Sequence, residues 1–133
     1  MAVKTFVNPA GVRRIGAFSH GACATGGTTV YVSGQISLDA DGNLVGKGDL
    51  RRQSEQVFDN VKAVLEAAGA TFADVVKLTH FVVGLKPEQR AAITEVRNRY
   101  VNQAQPPAST MVGVDALVMD GLLIEVEAVA VID

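Results

Sequence analysis

Between Val75 and Gly84 the chain carries apolar residues on both alternating parities. Val76, Leu78 and Val82 share one with His80, while Val75, Phe81 and Val83 share the other with Lys77 and Thr79. Successive side chains of a strand point to opposite faces of its sheet, so this segment needs cover on both. Two helices are available for one face. Asp49 is a reasonable N-cap, and the spacing of Val57, Val61, Val64, Leu65 and Ala68 predicts a helix from Leu50 until Gly69 stops it. Lys86-Pro87-Glu88 opens a second helix, expected to run to about Val101 before Asn102 to Pro107 breaks the chain.

The other expected strands are Phe18 to Thr25, ending at Gly26-Gly27, and Thr28 to Ile36, closed by the turn Asp39-Ala40-Asp41-Gly42-Asn43. These two are expected to pair as a hairpin. Thr110 to Leu117, and Leu122 to Ile132 after Asp120-Gly121, complete the set, while Val3 to Val7 reads as a short apolar lead into the turn Asn8-Pro9-Ala10-Gly11. The order strand, strand, helix, strand, helix, strand, strand predicts an α+β fold in two layers, a mixed sheet with both helices on one face. At 133 residues, 1–133 is read as one domain. The sheet face that the helices leave open is apolar, so the expected state is a homo-oligomer.

Charge and composition remove several function classes. The formal net charge is −2, and the only adjacent basic pairs are Arg13-Arg14 and Arg51-Arg52, which argues against nucleic acid as a partner. Hydrophobic residues make up 48% but aromatics only 5%, with no Trp, so the core is expected to be Val, Ala, Leu and Ile. The single cysteine, Cys23, cannot form an internal disulfide and reads as an inert core thiol. No apolar run approaches the ~20 residues that cross a bilayer, and Met1 to Asn8 lacks a signal-peptide pattern, so a cytoplasmic protein is expected. His20 and His80 lack companions at metal-ligand spacing, and Gly26-Gly27 lacks the following helix of a phosphate loop. No metal or cofactor is expected. Glu125 and Glu127 alternate with Ile124, Val126 and Ala128, which puts both carboxylates on one face of the last strand.

Several short segments carry a family likeness in order along residues 15 to 131. They are Ile15-Gly16 with Phe18-Ser19, Ser33-Gly34-Gln35-Ile36, Gln56 with Asp59-Asn60-Val61-Lys62, Ala67-Ala68-Gly69, Asp74-Val75-Val76-Lys77, Pro107-Ala108, and Ile124-Glu125-Val126-Glu127-Ala128. Taken together they resemble the RidA/YjgF family, whose older name is endoribonuclease L-PSP. The resemblance implies a chorismate-mutase-like fold, a homotrimer with an inner β-barrel, and ligand clefts between subunits. It also implies cofactor-independent hydrolysis of reactive enamines and imines, derived from amino acids, to a keto acid and ammonia.

Residue by residue, the resemblance implies a catalytic carboxylate at Glu125, beside the attacking water, and a retained Ser33. The arginine that clamps the substrate carboxylate in deaminating members is replaced by Ser109, and the neighbouring positions hold Thr110 and Met111. Phe18 stands where those members have Tyr. Ser109, Thr110, Met111, Phe18 and Ser33 are therefore the expected ligand-binding residues, with Arg14 as a candidate relocated clamp. The expected function is an imine or enamine hydrolase acting on a small metabolite, carboxylate-bearing or not, and shifted away from ordinary 2-imino acids. The alternative is a non-catalytic or regulatory trimer that binds a small metabolite; an endoribonuclease fits the charge balance poorly.

Overall fold

The computed structural model describes all 133 residues. Eight regular elements follow one another: β1 (Val3–Val7), β2 (Gly21–Thr25), β3 (Thr28–Gln35), α1 (Leu50–Ala67), β4 (Val75–Val83), α2 (Pro87–Arg97), β5 (Ala108–Val114) and β6 (Ile124–Ile132). The main sheet is mixed, in the order β3-β6-β4-β5. β6 is antiparallel to both of its neighbours and β5 runs parallel to β4. α1 and α2 lie on one face of it, giving the two-layer α+β arrangement.

The expected hairpin does not form. β2 pairs antiparallel with β1 in a separate two-stranded sheet, Val3 opposite Thr25 and Val7 opposite Gly21. Gly26 and Gly27, both at φ of 72°, turn the chain out of that small sheet and into β3. β3 then pairs with β6, from Thr28 opposite Ile132 to Val32 opposite Ala128. The apolar lead, read as a prelude, supplies the partner of β2, and β3 pairs instead with β6, where Val32 is buried under the helices. α2 also stops four residues early, because the amides of Arg99 and Tyr100 bond three residues back and tighten the last turn.

Helix caps follow the sequence. The Asp49 carboxylate accepts from the Arg52 amide at 3.0 Å, and Gly69 ends α1 at φ of 80°. α1 places Val57, Phe58, Val61 and Leu65 on the sheet, α2 adds Ile93 and Val96, and Leu78, Val82, Ile124 and Val126 meet them, all without solvent exposure. Gln53 is the polar member of this layer. Its amide group donates to the carbonyls of Gly46 and Gly121 and accepts from the Leu123 amide at 2.8 Å, tying α1 to the entry of β6.

Register divides the sheet residues between two sides. Leu78, His80 and Val82 of β4 share the helix side with Ser109 and Met111 of β5 and with Val126 and Ala128 of β6. The opposite side carries Tyr31, Thr79, Phe81, Thr110, Val112, Glu125, Glu127 and Val129. Tyr31 is 79% exposed and Val112 also lies open to solvent. No helix of the protein is long and apolar enough to cross a membrane.

Candidate functional site

A pocket of about 280 Å³ opens at the sheet edge between the Ile15–Phe18 loop, α2 and β5. Two hydrogen bonds hold that loop to the start of β5: the Ser19 hydroxyl donates to the Pro106 carbonyl at 2.6 Å, and the Ser19 amide donates to the Pro107 carbonyl at 3.0 Å. Phe18, Ile15, Leu85 and Met111 form apolar walls, and Ser109 lies at the floor. The remaining lining comes from α2, as Arg90, Thr94 and Arg97.

Arg97 is 5% exposed. Its Nη1 donates to Ser109 Oγ at 3.4 Å, and Nη2 donates to the Ala17 carbonyl at 3.3 Å and to Asn98 Oδ1 at 3.4 Å. Its buried Nε has no partner. Arg90 donates through Nη2 to the Ile15 carbonyl at 2.8 Å. Neither guanidinium has a carboxylate within ion-pair distance. Burial first, and the Arg90 charge second, hold the Arg97 pKa below its ordinary value, yet a guanidinium stays protonated in a protein. The edge of β5 is thus cationic, although β5 itself contributes no charge.

Beneath this pocket His80 is fully buried, and Nδ1 lies 2.9 Å from the Thr110 carbonyl. A carbonyl only accepts, so Nδ1 carries the proton and Nε2 is left as an unpartnered acceptor. Burial pushes the His80 pKa down to about 4; the Thr110 bond opposes this, and the charges of Arg97 and Lys77 add to it.

The sheet's other side carries a different set. Glu125 packs against Gly34, where a Cβ would lie 2.7 Å from the carboxyl carbon and 2.9 Å from Cγ of Glu125, so only glycine leaves room for that side chain. Ser33, Tyr31, Lys77, Thr79 and Glu127 line a shallow groove of about 370 Å³ nearby. Lys77 Nζ donates to Thr110 Oγ1 at 2.5 Å. Burial lowers the Lys77 pKa, and the Glu127 charge partly opposes it.

Within one chain the sequence-derived residues therefore fall into two groups. Phe18, Ser109 and Met111 surround the edge pocket, whereas Ser33, Thr110 and Glu125 belong to the open face. Arg14 joins neither: it is exposed, with Nη1 3.5 Å from the Phe18 carbonyl. Cys23 is exposed in β2, not a core thiol, because the two-stranded sheet has no layer over it there. Sequence reasoning overlooked Arg90 and Arg97. The available signal was Arg97 falling four residues after Ile93, on the buried stripe of α2, with no acidic residue three or four positions away on either side.

Comparison with known proteins decides the family. A model of the endoribonuclease L-PSP family matches residues 10–132. The chain belongs to this family, also called RidA/YjgF. A 2-iminobutanoate/2-iminopropanoate deaminase from Dermatophagoides farinae is 37% identical over 107 residues, 80% of each chain. Protein DfrA of Myxococcus xanthus is 37% identical over 131 residues, 98% of this chain and 97% of its own. The crystal structure of YyfB from Yersinia pestis, a Rid-family protein of unknown function, superposes with a TM-score of 0.91 at 40% identity, covering 97% of this chain and 98% of that one. The fold expected from the RidA/YjgF resemblance is thus the one observed.

Proposed function

We propose that this RidA-family chain hydrolyses the C=N bond of a small imine, or of the enamine in equilibrium with it, in a cleft completed by a second copy of the chain. The observation that carries the reading is the seating of Glu125 against Gly34, which reserves space for a carboxylate on the open face of the sheet. Water adds to the imine carbon while Glu125 takes one proton and passes it to nitrogen, giving the carbinolamine; Glu125 then takes the hydroxyl proton and delivers it to nitrogen, so the C–N bond breaks and ammonia leaves as the carbonyl forms. No cofactor enters this balance. The deaminase relative supports the reaction class.

Glu125 acts as the base, and Ser33 and Thr110 bind on its side of the sheet. Phe18, Ser109 and Met111 form the other wall of the cleft. Because the sheet separates these two groups in one chain, the assignment requires a neighbouring copy to bring them together, and we take the homotrimer typical of the family as the assembly. Although Ser109 brings no charge, 2-imino acids stay among the substrates, because the Arg97 guanidinium reaches Ser109 Oγ at 3.4 Å and puts a cation beside it. A second reading, a non-catalytic metabolite-binding trimer, is favoured by the smaller and more apolar set Ser109, Met111 and Phe18.

The test generates 2-iminopropanoate and 2-iminobutanoate with an amino acid oxidase and follows their disappearance with semicarbazide as trap. The wild type is expected to accelerate hydrolysis, and Glu125→Gln, which keeps shape and removes the base, to lose at least a hundredfold. Equal turnover by both removes Glu125 from the reaction; no acceleration by the wild type leaves the binding reading.

A further inference from the structure

We infer that Arg97, assisted by Arg90, is the carboxylate-binding group of this protein: the positive charge missing from β5 at Ser109 is delivered to the same pocket from α2. The inference deepens the proposed function and rests on it for the identity of the reaction, although the binding it describes stands apart from catalysis. Arg97 is a nearly buried cation with no carboxylate partner, an arrangement that is costly unless a ligand supplies the counter-charge. Three of its five N–H donors are engaged, all at 3.3 to 3.4 Å and all with neutral acceptors. Those bonds are long. Bonds between a guanidinium and a carboxylate are shorter, at roughly 2.7–2.9 Å, and about twice as strong, so an entering carboxylate is favoured over the present partners. Nε has no partner and is available to one oxygen of such a group.

Arg90 lies seven residues earlier on the same helix and lines the same pocket, so its charge reaches the same space. No acidic side chain lines the pocket to compete. The walls of Phe18, Leu85, Ile15 and Met111 match a short apolar substituent on the carboxylate, which a bare inorganic oxyanion such as phosphate lacks. The ligand class the lining fits is therefore a small carboxylate with a short apolar substituent, which the proposed reaction narrows to a 2-oxo or 2-imino acid. The Arg97 guanidinium lies directly over Ser109, with Nη1 3.4 Å from Oγ.

The test is calorimetric titration of the full-length protein with pyruvate, with the neutral isostere pyruvamide and with inorganic phosphate. Pyruvate is expected to bind and pyruvamide not to. Arg97→Met should weaken pyruvate binding at least a hundredfold and Arg90→Gln, at an exposed position that leaves the core untouched, several-fold. A second readout needs no variant: phenylglyoxal modification of the wild type, mapped by mass spectrometry, should be slowed by pyruvate at the exposed Arg90 of the pocket but not at Arg13 or Arg51. Binding of pyruvate by Arg97→Met within threefold of the wild type overturns the inference, as does preference for phosphate or an absence of pyruvate protection. Pyruvate held through Arg97 by a protein that hydrolyses no imine leaves this inference standing and removes the reaction.

Discussion

At the scale of single residues, His80 and Arg97 show how one buried layer ties stability to the site. The His80 pKa is about 4 in the folded chain against an ordinary 6.5, so below pH 6.5 the unfolded chain takes up a proton that the folded chain refuses. Stability from this group is complete above pH 6.5 and is lost as pH falls from 6.5 towards 4, on the order of 3 kcal/mol in all. Urea titrations across that window should show the loss, and His80→Asn, whose side-chain amide can take the place of the Nδ1 donor, should flatten it. Ser109→Arg is expected to be destabilising, because it drives a second guanidinium against Arg97; two like charges ~4 Å apart repel by up to roughly 4 kcal/mol at a surface-like dielectric. Adding Arg97→Ser to that variant should restore stability, measured as urea midpoint, by returning the charge to β5. Glu125, Ser109 and Met111 stand in or beside ordered motifs, and the structure puts Ser109 and Met111 at the edge pocket and Glu125 on the open face. The place of Arg97 in that pocket was not legible, since it depends on which way an α2 side chain turns in three dimensions, and α2 carries no motif.

At the scale of elements, the helices and the central strands were legible for local reasons: an Asp49 cap, a Pro87 start, a Gly69 stop and β-branched runs. The partner of β2 was not, because strand pairing is a long-range choice, and a Gly26-Gly27 turn fixes proximity without fixing which strand comes next to which. Where α1 meets β6 the decisive group is also non-local. Gln53 satisfies two carbonyls and one amide from segments far along the chain. Gln53→Leu keeps the volume and strands all three, and should cost about 2–4 kcal/mol in the urea unfolding free energy. A cost under about 0.5 kcal/mol would show that water replaces the amide there.

At the scale of the whole molecule, the sheet keeps Glu125 and the Arg97 pocket on different sides, so the account needs copies of the chain to meet across the cleft. The open face, with Tyr31, Phe81, Val112 and Val129, is apolar enough to be covered by them. Light scattering should give about three times the 13.9 kDa chain mass. A stable monomer at micromolar concentration would remove the shared cleft. If one chain supplies the base and its neighbour the carboxylate clamp, two inactive variants should complement each other on mixing. Glu125→Gln and Arg97→Met chains, unfolded together in equal amounts and refolded, assemble at random in a closed ring, so about a quarter of the clefts should hold an intact Glu125 and an intact Arg97 from adjacent copies. Turnover of 2-iminopropanoate should then return to about a quarter of the wild-type rate. A mixture as inactive as its two components, alongside active wild type refolded in the same way, would contradict it.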